Sequence, residues 1–467
     1  MILRIFLKNV KKHPEKIAFI KGDEEISYKD LAILSFRYAH LFKKKKIKRI
    51  ITVLQNNFDH IALFISCLIN RIEIMPLVEN TNNLNFSKFS KKSDLILTKS
   101  NLEKLKRKLA VQDQTENKIF KKKNPLEKKF NYITTFTSGT TGISKIFKLS
   151  NINKYNRAYQ SVKYFKFNKN DVFYMNTSLR FTISQRIMHT TIILGAKCIL
   201  NNGFSILNLK RDVLKNSITR LYCLSNHIAR LAYSDISQKN LKSLKTLIST
   251  SDTLHINIKK RLIKKFNFKI YEIYGTAEVG VVSALLIKNN SEISSVGNIL
   301  KDTKLKIIDK NQISKIGKIT FNSPRVYDNF KKKFFETGDL GYLKNNKLYF
   351  VGREKEIIRS NGIFVYPKLI ENKLKSLSII KECAVIGIEN KYYGELIVAV
   401  LVVNKKINTE YFYHFCDKNL QRDQNPHLFF FENNLPKNQQ EKIVKRALRE
   451  KIIKKYKTIF EKFDVRI

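Results

Sequence analysis

Residues 135–145 have the sequence Thr135-Phe136-Thr137-Ser138-Gly139-Thr140-Thr141-Gly142-Ile143-Ser144-Lys145 and directly follow a short strand pattern at Tyr132 to Thr134. Two glycines bracket hydroxyl residues in this loop, so backbone N–H groups can surround a phosphate while the hydroxyls donate further hydrogen bonds. Lys145 adds a positive charge. The loop is not a Walker A motif, which needs G-x-x-x-x-G-K-[ST]. It predicts a phosphate-binding turn after a strand, with a plain surface loop as the alternative.

Later motifs also place nucleotide-binding chemistry at turns. Tyr274-Gly275-Thr276-Ala277-Glu278 follows the strand pattern Ile270 to Ile273 and offers a ring for stacking on a base and a carboxylate for Mg²⁺. Thr337-Gly338-Asp339 puts a carboxylate on a tight turn, where it can accept hydrogen bonds from ribose hydroxyls. Taken singly, these motifs also fit a core tyrosine and a turn aspartate. The set ends with Gly352-Arg353-Glu354-Lys355-Glu356, Gly362, Val365-Tyr366-Pro367 and Leu435-Pro436-Lys437-Asn438-Gln439-Gln440-Glu441-Lys442.

In this order and spacing the motifs resemble those of the adenylate-forming superfamily of acyl-CoA synthetases, adenylation domains and luciferases. The resemblance extends over nearly the whole chain, from Ser27-Tyr28-Lys29-Asp30-Leu31 to Lys442. It implies an ATP-dependent acid–thiol ligase that activates a small carboxylic acid as acyl-AMP, releases pyrophosphate and transfers the acyl group to CoA. The implied cofactors are ATP, Mg²⁺ and CoA, or the phosphopantetheine of a carrier protein.

The resemblance also implies roles for single residues. Lys442 matches a catalytic lysine that reaches both the substrate carboxylate and the phosphate oxygens, and Glu278 matches a catalytic residue that helps hold Mg²⁺. Lys355 matches a hinge and Gly362 a position at the tunnel for the thiol. A lysine at the hinge, followed by V-x-P, favours CoA as the acceptor. The implied ATP- and AMP-binding residues are Thr137, Ser138, Gly139, Thr140, Thr141, Gly142, Lys145, Tyr274, Gly275, Thr276, Asp339 and Arg353.

The chain departs from the family pattern at three places. Ala277 stands where a threonine hydroxyl is usual, which removes one donor to the α-phosphate, at a cost of about 1 to 3 kcal/mol. Glu441 replaces the glycine that usually precedes the late lysine, which adds a negative charge and restricts the loop. Arg180 lies where many relatives have an aromatic-His segment, and it fits either an acidic group of the substrate or a surface arginine.

Hydrophobic patterning predicts an α/β fold with a large N-terminal domain and a small α+β domain at the C-terminus, and the resemblance implies that this small domain is mobile. Short β-branched runs such as Ile50 to Leu54 alternate with helical periodicity from Ile17 to about Leu200, and a second α/β stretch follows as far as Phe266. Closely spaced strands then predict a β-rich subdomain at about 297–352. The predicted domains are therefore 1–352 and 356–467, with the hinge at Lys355. A helix is expected from Glu441 to Lys455.

The formal charge of +50 has two interpretations. Eighty-nine Lys and Arg against 39 Asp and Glu would attract nucleic acid or an anionic membrane. Abundant Lys, Asn and Ile with only 15 Gly, 7 Pro and no Trp instead indicate an A/T-rich genome. Because the lysines are spread along the whole chain, the second interpretation is favoured and no specific nucleic-acid partner is expected. Five scattered cysteines and no long apolar run predict a cytoplasmic protein without a disulfide scaffold or membrane span.

Two other functions remain open at this point. One is a stand-alone adenylation enzyme that loads a carrier protein in trans. The other is a decayed relative that binds nucleotide or nucleic acid, which the charge, Ala277 and Glu441 would support. Lys442, Glu278, Asp339 and Arg353 remain in their motifs, and this counts against decay. The sequence does not identify the acid or the oligomeric state.

Overall fold

Three β-sheets and their covering helices make up this computed structural model, which describes residues 1–53, 55–77, 93–110, 128–137, 145–288, 292–309, 315–326, 334–405, 407–438 and 441–462. Within those ranges, no helix is both long and apolar enough to cross a bilayer. The strands are β1 Ile17–Lys21, β2 Glu24–Ser27, β3 Arg49–Val53, β4 Glu73–Leu77, β5 Asp94–Leu97, β6 Asn131–Thr137, β7 Lys145–Ser150, β8 Val172–Met175, β9 Lys197–Leu200, β10 Arg220–Leu224, β11 Thr246–Thr250, β12 Lys269–Thr276, β13 Gly280–Leu286, β14 Asn298–Ile299, β15 Lys304–Ile308, β16 Gly317–Asn322, β17 Phe335–Lys344, β18 Lys347–Arg353, β19 Ile358–Ser360, β20 Ile363–Val365, β21 Ile380–Asn390, β22 Gly394–Val403 and β23 Leu428–Phe431.

The helices lie between the strands in the rhythm expected of an α/β chain. They are α1 Ile2–Lys12, α2 Tyr28–Lys44, α3 Phe58–Asn70, α4 Lys99–Ala110, α5 Asn151–Phe165, α6 Thr182–Leu194, α7 Ile206–Asn216, α8 Ser225–Tyr233, α9 Ile256–Lys265, α10 Pro367–Leu374, α11 Thr409–Asn419, α12 Lys445–Lys455 and α13 Lys457–Lys462. A capping box between Ser150 and Asn153 begins α5, because each residue's side chain bonds the other's backbone N–H.

The largest sheet has 13 strands in the order β15-β16-β17-β18-β14-β13-β12-β11-β10-β8-β9-β1-β2. Its middle, from β9 through β8, β10 and β11 to β12, is parallel. From β13 onward every pair is antiparallel. The strands predicted as a β-rich subdomain thus extend the same sheet as the parallel strands. This extension brings the ends of β17 and β18 toward β12.

A second sheet, in the order β5-β3-β4-β6-β7, faces the first one across a shared core. That core joins Ile50 and Ile74 of the second sheet to Phe173 and Ile248 of the first. Helices α7, α8 and α9 cover the opposite face of the large sheet, where Leu209, among others, packs. Because the central strands are covered on both faces, β10 is buried at every position, as in other doubly covered parallel sheets.

The C-terminal sheet has the order β20-β19-β22-β21, with β23 pairing β22. Separate apolar clusters cover its two faces, one with Phe412 of α11 and the other with Leu448 of α12. These observations confirm the predicted α/β class with a smaller C-terminal α+β part. The helix expected from Glu441 to Lys455 was predicted too early, since α12 begins at Lys445. Glu441 has φ +56°, which an α-helix does not accommodate.

Candidate active site

The side chains of Tyr274, Asp339 and Arg353 meet between strands β12, β17 and β18 of the large sheet, at what we call the Asp339 corner. Tyr274 and Asp339 are buried there, and Arg353 is exposed. Asp339 of β17 pairs across the sheet with Arg353 of β18. The Tyr274 hydroxyl donates a hydrogen bond of 2.7 Å to Asp339 Oδ2. Arg353 Nε lies 3.3 Å from Asp339 Oδ1. The antiparallel extension therefore brings together three residues that the sequence assigned to one site.

The Asp339 carboxylate has capacity left to accept a hydrogen bond. The residue is 3% exposed, and among the described residues no group donates a hydrogen bond to its Oδ1. Burial raises the pKa of Asp339, while Arg353 and the Tyr274 hydroxyl act to lower it. A buried acceptor without a donor is costly unless something fills the position. A hydroxyl from a bound molecule would satisfy it.

Lys442 approaches this corner from the C-terminal part of the chain. A bridge between Lys437 and Ile443 closes its loop, and the Lys442 backbone N–H donates to Asn438 Oδ1 at 3.1 Å. Burial lowers the pKa of the Lys442 ammonium, and Arg353 acts in the same direction. Asp252 and Asp339 oppose this shift. The lysine thus stands among groups of the large sheet although it belongs to the smaller C-terminal part.

Glu441, beside this lysine, has the backbone conformation that a glycine would favour. Its φ of +56° lies in the left-handed region, at a cost of roughly 1 to 2 kcal/mol for a residue with a side chain. The Glu441 carboxylate accepts a hydrogen bond from Asn226 of α8 and lies 4.0 Å from His227 Nε2. Burial lowers the pKa of His227 to about 4, so the contact involves a neutral imidazole at pH 7. The side chain thereby ties the lysine loop to α8.

The turn at residues 276–280 carries Glu278 and is held from behind by Arg157 of α5. Arg157 donates to the carbonyl oxygens of Ala277 and Glu278 at 2.8 and 2.6 Å. Gly275 is required just before the turn, because a Cβ there would lie 2.0 Å from the Gly280 carbonyl oxygen. The half-buried Glu278 acts electrostatically on Asp339, whose pKa it helps to raise. Thr276 is half-buried in the same turn, and its Oγ1 accepts from the Val279 N–H at 3.4 Å.

The other predicted residues are distributed differently. Thr137 ends β6 and Lys145 begins β7, so the two positions pair at the end of the hairpin where the chain connects its two strands. Ser138, Gly139, Thr140, Thr141 and Gly142 lie outside the described residues.

Two predicted residues fall on the C-terminal side of β18. Lys355 is exposed in the three-residue turn Glu354–Glu356, which joins the large sheet to the C-terminal sheet. Gly362 lies in the turn between β19 and β20 with φ +75°, and no described atom lies within 4 Å of where its Cβ would stand. It belongs to the C-terminal sheet and not to the strands of the Asp339 corner.

Comparison with known proteins identifies the family. The family model "AMP-binding enzyme" matches residues 6–328, more than half of the chain. The chain belongs to this family. The model "AMP-binding enzyme C-terminal domain" matches residues 369–442, so the match reaches Lys442. The resemblance on which the sequence interpretation depended is thereby confirmed.

Relatives of this AMP-binding enzyme include 2-succinylbenzoate–CoA ligase of Bacillus subtilis, 23% identical over 94% of this chain and 95% of that protein. A long-chain-fatty-acid–CoA ligase of the same organism is 27% identical over 56% of this chain and 51% of its own length. ATP-bound MatB from Rhodopseudomonas palustris has the same fold, with a TM-score of 0.84 and 20% identity over 98% of this chain and 100% of that one. MenE from Bacillus subtilis in complex with ATP and a magnesium ion matches with a TM-score of 0.80 and 22% identity, over 96% of this chain and 99% of that one.

Several residues that shape the site of this AMP-binding enzyme were missed from the sequence. Glu272 of β12 and Lys259 of α9 form an ion pair and are 1% and 2% exposed. Glu272 Oε1 also accepts a hydrogen bond from Leu254 N at 2.5 Å, which fixes the loop that carries Asp252. Asp252 in turn lies 3.4 Å from Lys368 of the C-terminal part. A carboxylate directly after the strand Thr246–Thr250 was the available signal for Asp252.

The motifs offer one ligand for magnesium, Glu278. Among the described residues, no three His, Cys, Asp or Glu side chains gather as a metal site. Mg²⁺ is usually held by one or two carboxylates together with phosphates of the substrate and water. A single half-buried carboxylate at the turn fits that donor set, so the residues present are compatible with a metal that arrives with ATP.

Proposed function

We propose that this AMP-binding enzyme is an ATP-dependent carboxylic acid–thiol ligase that forms acyl-AMP and then transfers the acyl group to CoA. The observation that carries the proposal is the approach of Lys442 to the Asp339 corner. The corner offers a buried acceptor that has no donor among the described residues, and the Lys442 ammonium interacts electrostatically with Asp339 and Arg353. These are the groups needed to hold a ribose and to bring two anions together.

In the first step an oxygen of the substrate carboxylate attacks the α-phosphorus of ATP. The bond between the α-phosphorus and the bridging oxygen to the β-phosphate breaks, and pyrophosphate leaves with that electron pair. Asp339 Oδ1 accepts from a ribose hydroxyl, and Arg353 keeps the Asp339 carboxylate charged and oriented. Lys442 donates hydrogen bonds to the reacting carboxylate and the α-phosphate, which offsets their mutual repulsion. Magnesium held by Glu278 would neutralise charge on the departing phosphates.

In the second step the thiol sulfur attacks the acyl carbon, the bond from that carbon to the phosphate oxygen breaks, and AMP leaves. The thiol proton passes to solvent or base. Lys442 takes no part in this step, because the C-terminal part that carries it would have turned away from the corner. The exposed three-residue turn around Lys355 is the connection about which the C-terminal part would turn, and Gly362 would then line the path of the thiol.

CoA is favoured as acceptor because the 2-succinylbenzoate and long-chain-fatty-acid relatives are CoA ligases. The phosphate loop at residues 137–145 remains a prediction, since its central residues lie outside the described ones. The same holds for stacking of adenine on Tyr274, whose ring packs 5.8 Å from Phe350 and 6.2 Å from Phe321 between ring centroids.

The test is pyrophosphate release from ATP across a panel of fatty, aryl and amino acids, with and without CoA. We expect acid-dependent release, trapping of acyl-AMP by hydroxylamine, and faster turnover when CoA is added. A holo carrier domain in place of CoA separates the two acceptors. Absence of acid-dependent release from a folded protein that still binds ATP would contradict the ligase and support the decayed relative.

A further inference from the structure

Four cationic side chains are buried between α5, α6 and the antiparallel part of the large sheet. Lys154 and Arg157 project from α5 and are both 3% exposed, Arg186 from α6 is 8% exposed, and Arg325 is 0% exposed. We call these four residues the cation cluster. Lysine and arginine are almost never fully buried unless they are paired. The hydrogen-bond partners of each cation therefore indicate which of the four stabilise the fold.

Three members of the cluster have partners within the chain. Arg157 donates to the carbonyl oxygens of the 276–280 turn and of Arg325. Arg325 bonds Asp302 and donates to Thr303 Oγ1 at 2.6 Å. Lys154 donates to Gln185 Oε1. These side chains hold α5, α6 and the turn together.

Arg186 is different. In the part of the chain that the structure describes, its buried Nε and Nη1 have no hydrogen-bond partner. Burial lowers the pKa of Arg186 to about 10, with Tyr222 opposing and Arg325 adding to the shift, so the guanidinium remains charged at pH 7. A buried charge without a counter-charge destabilises a fold by several kcal/mol. The unpaired guanidinium of Arg186 therefore lowers the free energy of unfolding.

The unpartnered guanidinium borders a gap behind the turn that carries Glu278. Arg186 lines it together with Gln160 and Ser161 of α5, Val281 and Leu300. The space among these side chains is about 170 Å³ and, as packed, admits no water-sized sphere. Little water therefore reaches the guanidinium through this gap, and an occupant would enter by displacing side chains.

We propose that Arg186 determines specificity by binding a second carboxylate on the acid substrate, so that this enzyme activates short dicarboxylic acids. The inference rests on the proposed function, because it names the substrate class of that reaction. A guanidinium presents two parallel N–H groups to a carboxylate, and Nε and Nη1 are the two that lack partners. The Tyr222 hydroxyl supplies a further donor. The other carboxylate would then be the one that attacks the α-phosphorus.

The test is acid binding measured by isothermal titration in the presence of α,β-methylene-ATP, which requires no turnover. Matched pairs differ by one carboxylate: succinate with butyrate, and phthalate with benzoate. Arg186→Met removes the charge and keeps the length of the side chain, while Arg186→Lys keeps the charge and loses the paired N–H groups. Arg446→Met is the control, because Arg446 is 65% exposed on α12 and pairs with Glu450.

We expect the wild-type protein to bind at least one diacid about 10- to 100-fold more tightly than its monoacid partner. Arg186→Met should abolish that preference, Arg186→Lys should retain part of it, and Arg446→Met should retain all of it. Equal binding of both pairs, no binding of either diacid, or a preference unchanged in Arg186→Met would overturn the inference. Pyrophosphate release with monoacids alone would overturn it and leave the ligase standing. Arg186-dependent diacid binding without any pyrophosphate release would support it and contradict the ligase.

Discussion

The Asp339 corner and the cation cluster adjoin the same turn at residues 276–280, and they differ in how their charges are compensated. In the corner, Asp339 faces Arg353 and the Tyr274 hydroxyl, so opposite charges meet across paired strands. In the cluster, carbonyl oxygens and a glutamine supply most of the partners, and Arg186 has none for two of its nitrogens in the described part of the chain. Under our two proposals, a ribose hydroxyl would complete the first region and a carboxylate of the substrate would complete the second.

Removing the lysine that completes the corner should have the largest effect. We expect Lys442→Ala to slow acyl-AMP formation by about 100- to 1,000-fold, the usual range for loss of one electrostatic donor in a transition state. Transfer from synthetic acyl-AMP to CoA should change much less. Lys437→Ala is the matched control, since Lys437 lies in the same loop and pairs with Glu382 instead. Formation of acyl-AMP at near the wild-type rate would show that Lys442 is misassigned.

Removing a paired buried cation and removing an unpaired one should change the free energy of unfolding in opposite directions. Lys259→Met breaks the buried pair with Glu272 and should lower the free energy of unfolding by about 3–5 kcal/mol. Arg186→Met, the same kind of change at an unpaired cation, should raise it. Urea denaturation of the two variants and the wild-type protein provides the measurement. A loss of stability in Arg186→Met comparable to that in Lys259→Met would mean that Arg186 serves the fold.

Fixing the connection between the large sheet and the C-terminal sheet should preserve the corner and block the thioester step. Proline at Lys355 sets φ near −65° and removes a backbone N–H, so the C-terminal part can hold one orientation but not turn. We expect Lys355→Pro to spare pyrophosphate exchange and to prevent transfer of acyl-AMP to CoA. Lys355→Ala should do far less. Equal loss in both half-reactions would indicate misfolding, and full transfer activity would mean that no turning is needed.

A hydroxyl added to the shared turn should have the smallest effect. Ala277 is half-buried between Thr276 and Glu278. Ala277→Thr restores one donor toward the α-phosphate, and a net hydrogen bond of about 0.5–1.5 kcal/mol corresponds to a roughly two- to tenfold gain in adenylation rate. Ala277→Val adds the same bulk without the hydroxyl and should give no gain. A large loss in Ala277→Thr would reveal a turn geometry incompatible with this role.

The sequence was sufficient to predict which residues form the Asp339 corner, but it was not sufficient to predict the cation cluster. Tyr274, Asp339 and Arg353 stand in short motifs next to strands, and strand pairing brings such positions together. Arg186 shows no such signal, because a cation on a helix in a chain with 89 Lys and Arg resembles one more solvated charge. Its burial depends on α6 packing inside the fold, which local patterning does not report. The late start of α12 depended on the left-handed conformation of Glu441, which is equally invisible in residue type.

The most direct test of the central claim compares Michaelis constants in two matched variants, Arg353→Met in the corner and Arg186→Met in the cluster. Pyrophosphate release is followed while ATP and a diacid are varied in turn. If the two regions hold the two reactants, Arg353→Met raises KM for ATP with little change in KM for the diacid. Arg186→Met then raises KM for the diacid with little change in KM for ATP. An equal rise of both constants in both variants, or a rise of KM for ATP in Arg186→Met, would contradict the account.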